Sequence, residues 1–144
     1  IVINFAVAPC GAQSTRGGVP LPPNLSLVTP TDTLPAQVRQ FSGKWFGTYE
    51  TIALDHVLVV EDIKSPDEVI AVYAVGSVGN SLPGWFRVTG KIDSTGLNLR
   101  TGLNASLAFQ LQPDGTLAGT FSRMGAGVQG TNVFRHITMS RSKD

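Results

Sequence analysis

The chain holds two histidines and one cysteine, so few side chains are available as general base, strong nucleophile or soft metal ligand. Nucleophilic hydrolysis needs a serine or cysteine beside a histidine that a carboxylate orients. Asp55-His56 and His136 are the starting points. His56 falls near one end of a predicted strand and His136 on the outward face of another, so spacing assembles no triad, and no catalytic residue is expected. Glu61 and Asp62 are adjacent and point to opposite faces of a regular strand, which argues against a paired acid and base. A solvated surface carboxylate is the ordinary outcome. Gly125 and Gly127 resemble part of a phosphate loop, but no Lys-Ser or Lys-Thr and no helix follows. A single cysteine forms no internal disulfide framework, and with two histidines it falls short of a zinc pattern. No metal and no cofactor are expected, and binding is favoured over catalysis.

The elements that must position these residues follow from composition. The chain has 144 residues, 42% of them hydrophobic, which is one domain with one compact core. Charged residues are only 15%, the net charge is +1, and Lys and Arg are scattered, which excludes an electrostatic nucleic-acid binder. With 16 glycines and 9 prolines, a turn-rich β protein is favoured over a helical bundle.

Prolines divide the chain. Pro9, Pro20, Pro22, Pro23, Pro30 and Pro35 all precede residue 40, and only Arg16, Asp32 and Arg39 are charged there. Residues 1–40 therefore read as a proline-rich arm with an irregular middle, and residues 41–144 as the folded domain. The apolar opening Ile1–Ala8 runs into Pro9, Cys10, Gly11 and Ala12, as the end of a secretory signal would, and implies a secreted or periplasmic protein. Pro9 suits a lipidated Cys10 poorly, and the apolar run is too short for a membrane span. In a competing reading, Ile1–Ala8 adds a β-strand to a neighbouring subunit in a homo-oligomer.

From Gly43 onward eight short β-like runs follow: Gly43–Thr51, Leu54–Ile63, Glu68–Val75, Trp85–Asp93, Leu97–Thr101, Ser106–Gln112, Thr116–Arg123 and Asn132–Ser140. Lys64–Asp67, Asp93–Gly96 and Pro113–Gly115 carry compact turn chemistry. No connection is long enough for a crossover helix. Eight sequential antiparallel strands remove their exposed edges by closing, which predicts an all-β, up-and-down eight-stranded barrel. Connections after strands two, four and six are tight, whereas residues 76–84 and 124–130 are long and glycine-rich. One end of the barrel should thus be closed and the other should carry the loops.

Period-two alternation sends Phe86, Val88, Ile92, Leu97, Leu99, Leu107, Phe109, Leu111, Leu117, Gly119 and Phe121 inward. Gly47 and Gly119 relieve crowding or let a strand bend. The second and third strands are apolar on both faces, through Val57–Val60 and Val69–Val75, so the arm or a second subunit should cover them. The expected lining of the wider half is Tyr49, Tyr73, Phe86, Val88, Phe109, Phe121, Val133 and Arg135. Such walls suit a small, mainly apolar ligand, with a side-chain-filled barrel as the alternative. An inward Arg135 needs a polar or anionic partner.

The segment from Leu34 to Glu50, with Phe41 before Gly43-Lys44-Trp45 at the first of eight strands, resembles the opening motif of the lipocalins and the wider calycin group. The resemblance covers roughly residues 34–141 and implies a calycin barrel, in which Trp45 plugs the closed end and Arg141, from the end of the last strand, packs over it. Both would be structural. The chain departs from typical lipocalins in its short first loop, in having no long helix after the barrel, and in having no disulfide. Short loops resemble the avidin type, yet the tryptophans are only Trp45 and Trp85, so biotin binding is not expected. The two helices that follow the first strand in fatty-acid-binding proteins are also missing. Three functions follow: an exported, non-enzymatic barrel binding a small apolar molecule at its loop-bearing end; an assembly subunit docking through the arm or through strands two and three; or a small barrel isomerase or cyclase.

Overall fold

A computed structural model describes residues 14–16, 18–49, 54–77, 83–102, 105–125 and 128–142. The chain is nearly all β. In the arm, β1 (Ser14–Arg16) and β2 (Val19–Leu21) form a small hairpin, and α1 (Ala36–Arg39) is a single turn before the barrel. The barrel strands are β3 (Gly43–Tyr49), β4 (Asp55–Ser65), β5 (Glu68–Val75), β6 (Gly84–Asp93), β7 (Gly96–Gly102), β8 (Ala105–Leu111), β9 (Leu117–Arg123) and β10 (Val133–Arg141). Each pairs antiparallel with its sequence neighbour, and β10 returns to β3 with Ile137 opposite Tyr49 and Arg141 opposite Trp45. This is the closed up-and-down barrel that the alternation of apolar residues and turns predicts, and closure leaves no exposed sheet edge.

The tight turns gather at one end for local reasons. At Asp93 the carboxylate accepts the Thr95 N–H at 2.8 Å and the Thr95 hydroxyl at 2.6 Å. Asp114 does the same for Thr116 at 3.0 and 2.7 Å. These aspartate turns satisfy backbone donors that a two-residue reversal leaves unpaired. Residues 50–53, 78–82, 103–104 and 126–127 lie outside the described residues. So does the apolar opening Ile1–Ala8, on which the export and strand-docking expectations rest.

Two apolar layers hold the fold. The inner one fills the middle and closed end of the barrel with Trp45, Leu58, Val60, Ala71, Leu97, Leu99, Leu107, Phe109, Leu117, Ile137 and Met139. Phe109 is 0% exposed, and a methyl group at Gly119 would sit 2.5 Å from its ring. Gly119 is therefore the space into which Phe109 packs. The outer layer is Val19 and Leu21 of β2 on Val57, Val59, Val72 and Ala74 of β4 and β5, with Leu25, Phe46 and Trp85 around them. The second apolar face of these strands is thus covered by the chain's own arm. Each such buried side chain contributes roughly 1.5–3 kcal/mol at most.

One expectation is corrected. The register runs Val60 to Ala71 and then Asp62 to Ile70, so Glu61 is the extra residue of a β-bulge. Period two fails across a bulge. Asp62 pairs with outward Ile70, and Glu61 also faces the arm on the outside instead of alternating with it. Nor is Glu61 a solvated carboxylate: it is 4% exposed. It accepts Arg87 Nε at 2.8 Å, Arg87 Nη2 at 3.2 Å and the Ser26 N–H at 2.9 Å. Its carbonyl accepts the Val28 N–H at 2.7 Å, and Arg87 reaches Asn24. A carboxylate buried under the arm therefore ties down the segment that covers it.

Candidate functional site: the loop-bearing end of the barrel

At the end opposite the tight turns, β3 finishes at Tyr49, β4 begins at Asp55, and Tyr73 lies two residues before the end of β5. Strand alternation and register turn Tyr49, His56 and Tyr73 into the barrel, where all three are buried. The Tyr73 hydroxyl hydrogen-bonds His56 Nδ1 and lies 3.4 Å from the Tyr49 hydroxyl. The Tyr49 ring stands edge-on to the imidazole, with centroids 3.9 Å apart and planes at 62°. His56 is 1% exposed, and its Nε2 is, among the described residues, a buried side-chain polar atom with no hydrogen-bond partner.

Burial sets the charge of this cluster. The buried imidazole is held at about 4 against an ordinary 6.5, with the Asp55 carboxylate pulling weakly the other way, so His56 is neutral at pH 7. Burial also raises Tyr73, and its contact with Tyr49 adds to the rise. Tyr49 is raised by burial, against the Tyr73 hydrogen bond and the Arg135 charge. Two proton arrangements suit the chain. With Tyr73 donating to Nδ1, Nε2–H is a donor; with Nδ1–H donating to Tyr73, Nε2 is an acceptor.

Above this floor the inner face is incompletely covered. Phe86, opposite Tyr73 and in step with buried Val88, is nonetheless 49% exposed. Phe121, Val133 and Arg135 are half-buried. Arg135 sits opposite Phe121 and in step with buried Ile137, on the inward side. The eight expected lining residues therefore divide. Tyr49 and Tyr73 form the floor, Phe86, Phe121, Val133 and Arg135 stand around the mouth, and Val88 and Phe109 belong to the filled core. His56 was legible only as a fragment of a triad, although its place on the inward parity of β4 with Leu58 and Val60 was open to reading. Arg123, opposite Val133 and in step with Phe121, is a second inward-side cation at the rim. Period-two alternation extended two residues past Phe121 finds it. His136 faces out, within 3.3 Å of the Thr120 hydroxyl.

The far end is structural. Trp45 is fully buried, its Nε1 donates to the Phe41 carbonyl at 3.0 Å, and the Arg141 guanidinium lies 4.2 Å from its ring centroid. Arg141 also donates to the carbonyls of Ser42 and Gln40, each at 2.7 Å. Gly43, at φ +116°, leaves room for that guanidinium, which a methyl group there would approach to 2.9 Å. A surface groove of about 820 Å³ lies nearby between α1 and the turns at 92–96 and 110–113, walled by Gln37, Gln40, Gln110 and Gln112. Among the described residues no unpartnered buried polar group faces it, no three metal-ligating side chains converge, and no helix is long and apolar enough to cross a membrane. Compared with models of protein families, with curated proteins and with solved structures, the chain matches none.

Proposed function

We propose that this protein is an exported, non-enzymatic, calycin-like barrel that binds a small, mainly apolar molecule at its loop-bearing end. The observation that carries the reading is Phe86, a large aromatic on the inward register that stays 49% exposed while the barrel below it is filled by Phe109. Apolar area left in water on a concave inner face is what a ligand covers with gain. The Tyr49–Tyr73–His56 floor supplies a polar anchor beneath the apolar rim. The calycin assignment is supported by the closed eight-stranded meander and by Arg141 over Trp45. Export is supported by the apolar run Ile1–Ala8 leading into Pro9-Cys10-Gly11-Ala12.

Titration with Nile red, an uncharged apolar dye, tests the reading. Saturable one-to-one fluorescence enhancement that is lost in Phe121→Glu, with the fold intact by circular dichroism, is the expected result. Weak, non-saturating enhancement that is equal in both proteins would overturn it. A second reading, a barrel isomerase or cyclase, is favoured by one observation, the neutral buried His56 linked to two tyrosine hydroxyls. Such a chain can pass a proton along its hydrogen bonds. In that case a ligand recovered with wild-type protein would differ chemically from the one recovered with His56→Gln. Identical ligands would leave binding alone.

A further inference from the structure

The arm meets the barrel in two blocks, with a connector between them that the barrel does not hold. In the first block β2 lies across β4, β5 and β6, and Val19 and Leu21 are buried on Val57, Val59, Val72 and Ala74. Asn24, Ser26 and Val28 then bond to Arg87 and Glu61. In the second block Leu34, Val38 and Phe41 pack into the closed end of the barrel. Between the two, Thr29, Thr31, Asp32 and Thr33 are exposed. Among the described residues, the hydrogen bonds of 29–33 are local: the Leu34 N–H reaches the Thr31 carbonyl at 3.2 Å, and the Thr31 and Thr33 hydroxyls lie 2.8 Å apart. Asp32 adds a solvent-exposed ion pair to Arg39 of α1 at 3.9 Å. Pro30 and Pro35 frame this turn and bias Thr29 and Leu34 toward extended backbone. Just before it, Leu27 and Val28 stay 49% and 44% exposed.

A connector with no hold on the barrel lets the first block leave its own face and settle on the same face of a second copy, where every arm contact is reproduced. We propose that the outer face of β4, β5 and β6 takes the arm of a second copy of this chain, in a two-fold dimer that exchanges residues 19–28. At the two-fold axis the connectors pass each other and bring Leu27 and Val28 against their counterparts. Closed chain and exchanged dimer share the contacts between arm and face, so three differences set the balance. The dimer opens the turn at 31–34 and loses the entropy of association, and it withdraws the apolar area of Leu27 and Val28 from water. Mass action then makes the dimer grow with concentration.

Size-exclusion chromatography with light scattering of the full chain, refolded at low and at high concentration, is expected to show a dimer fraction that rises with concentration. Monomer at every concentration would overturn the exchange. Oxidation of Val19→Cys/Gly76→Cys in a Cys10→Ser background then reports whose arm covers the face. A methyl group at Gly76 would lie 3.5 Å from Val19 Cγ2, close enough for a disulfide. The oxidised dimer fraction should run at twice the chain mass without reductant and at the chain mass with it, whereas the monomer fraction runs as one chain throughout. Dimer cross-linked only within each chain would overturn the exchange. Connector length gives a readout that needs no cysteine: Gly-Ser-Gly-Ser inserted after Thr31 should shift the protein toward monomer, and deletion of Asp32 and Thr33 toward dimer. A dimer fraction indifferent to both lengths would also overturn it. Leu27→Ser/Val28→Ser should raise the dimer dissociation constant by about tenfold or more, with the circular dichroism of the monomer unchanged; an unaltered constant would overturn the apolar crossing at the axis.

Discussion

His56 shows how burial alone decides the state of a titratable residue. Its folded value is about 4 and its ordinary value 6.5. Between those two pH values the unfolded chain binds a proton that the folded chain refuses, so stability is full above about 6.5 and falls as pH drops toward 4. The loss approaches about 3 kcal/mol once both states are protonated. Urea denaturation at pH 7, 6, 5 and 4 should show this decline, and His56→Gln should flatten it; an unchanged slope in the variant would place the effect elsewhere. Glu61 acts in a lower window. Burial would raise its carboxyl, but the hydrogen bonds from Arg87 and Ser26 outweigh burial and hold it below 4.5. Its contribution is present above 4.5 and disappears as pH falls through the folded value. At the opposite end, Trp45→Ala removes a fully buried indole and its hydrogen bond to Phe41, which should cost roughly 3–5 kcal/mol in urea unfolding. A near-neutral change would contradict a plugged closed end.

At the scale of elements, strands joined by tight turns were readable and the departures from regularity were not. Glu68–Val75 is the expected strand residue for residue, and the turns at 93–96 and 113–115 fall where Asp and Gly place them. Arg141 opposite Trp45 followed from antiparallel closure. The bulge at Glu61 was hidden because an inserted residue leaves composition unchanged while inverting parity. That inversion turned Asp62 outward beside Glu61, and the arm covers Glu61 where sequence alternation foresaw a solvated surface. Arg123 lies one alternation beyond Phe121, where a cation on the inward parity carries no apolar signal. For the doubly apolar faces of β4 and β5, sequence left arm and partner subunit open, and Val19 and Leu21 fill the role from within the chain. The arm segment around 24–28 is held by the Glu61 carboxylate at Ser26, by the Glu61 carbonyl at Val28 and by Arg87 at Asn24. Glu61→Gln should therefore speed amide hydrogen exchange at Ser26 while the amides of β8 and β9 keep their protection; a uniform change would mean that arm and barrel open together. Gly119→Ala, set against Phe109, should cost about 1–3 kcal/mol in thermal or urea unfolding and be partly relieved by Phe109→Leu.

Across the whole molecule the barrel is asymmetric. One end is sealed by Trp45, Arg141 and aspartate turns, and the other has an inner face of exposed Phe86, half-buried Phe121 and two arginines above a neutral tyrosine–histidine floor. The sealed end supplies stability, and the incomplete inner face at the other end is where a guest gains most from burial. Native mass spectrometry of the full-length protein from its original source tests this most directly. The account predicts one small-molecule mass per chain that is retained in gentle spectra and lost on denaturation. Chains of bare mass, whether single or assembled, would contradict it.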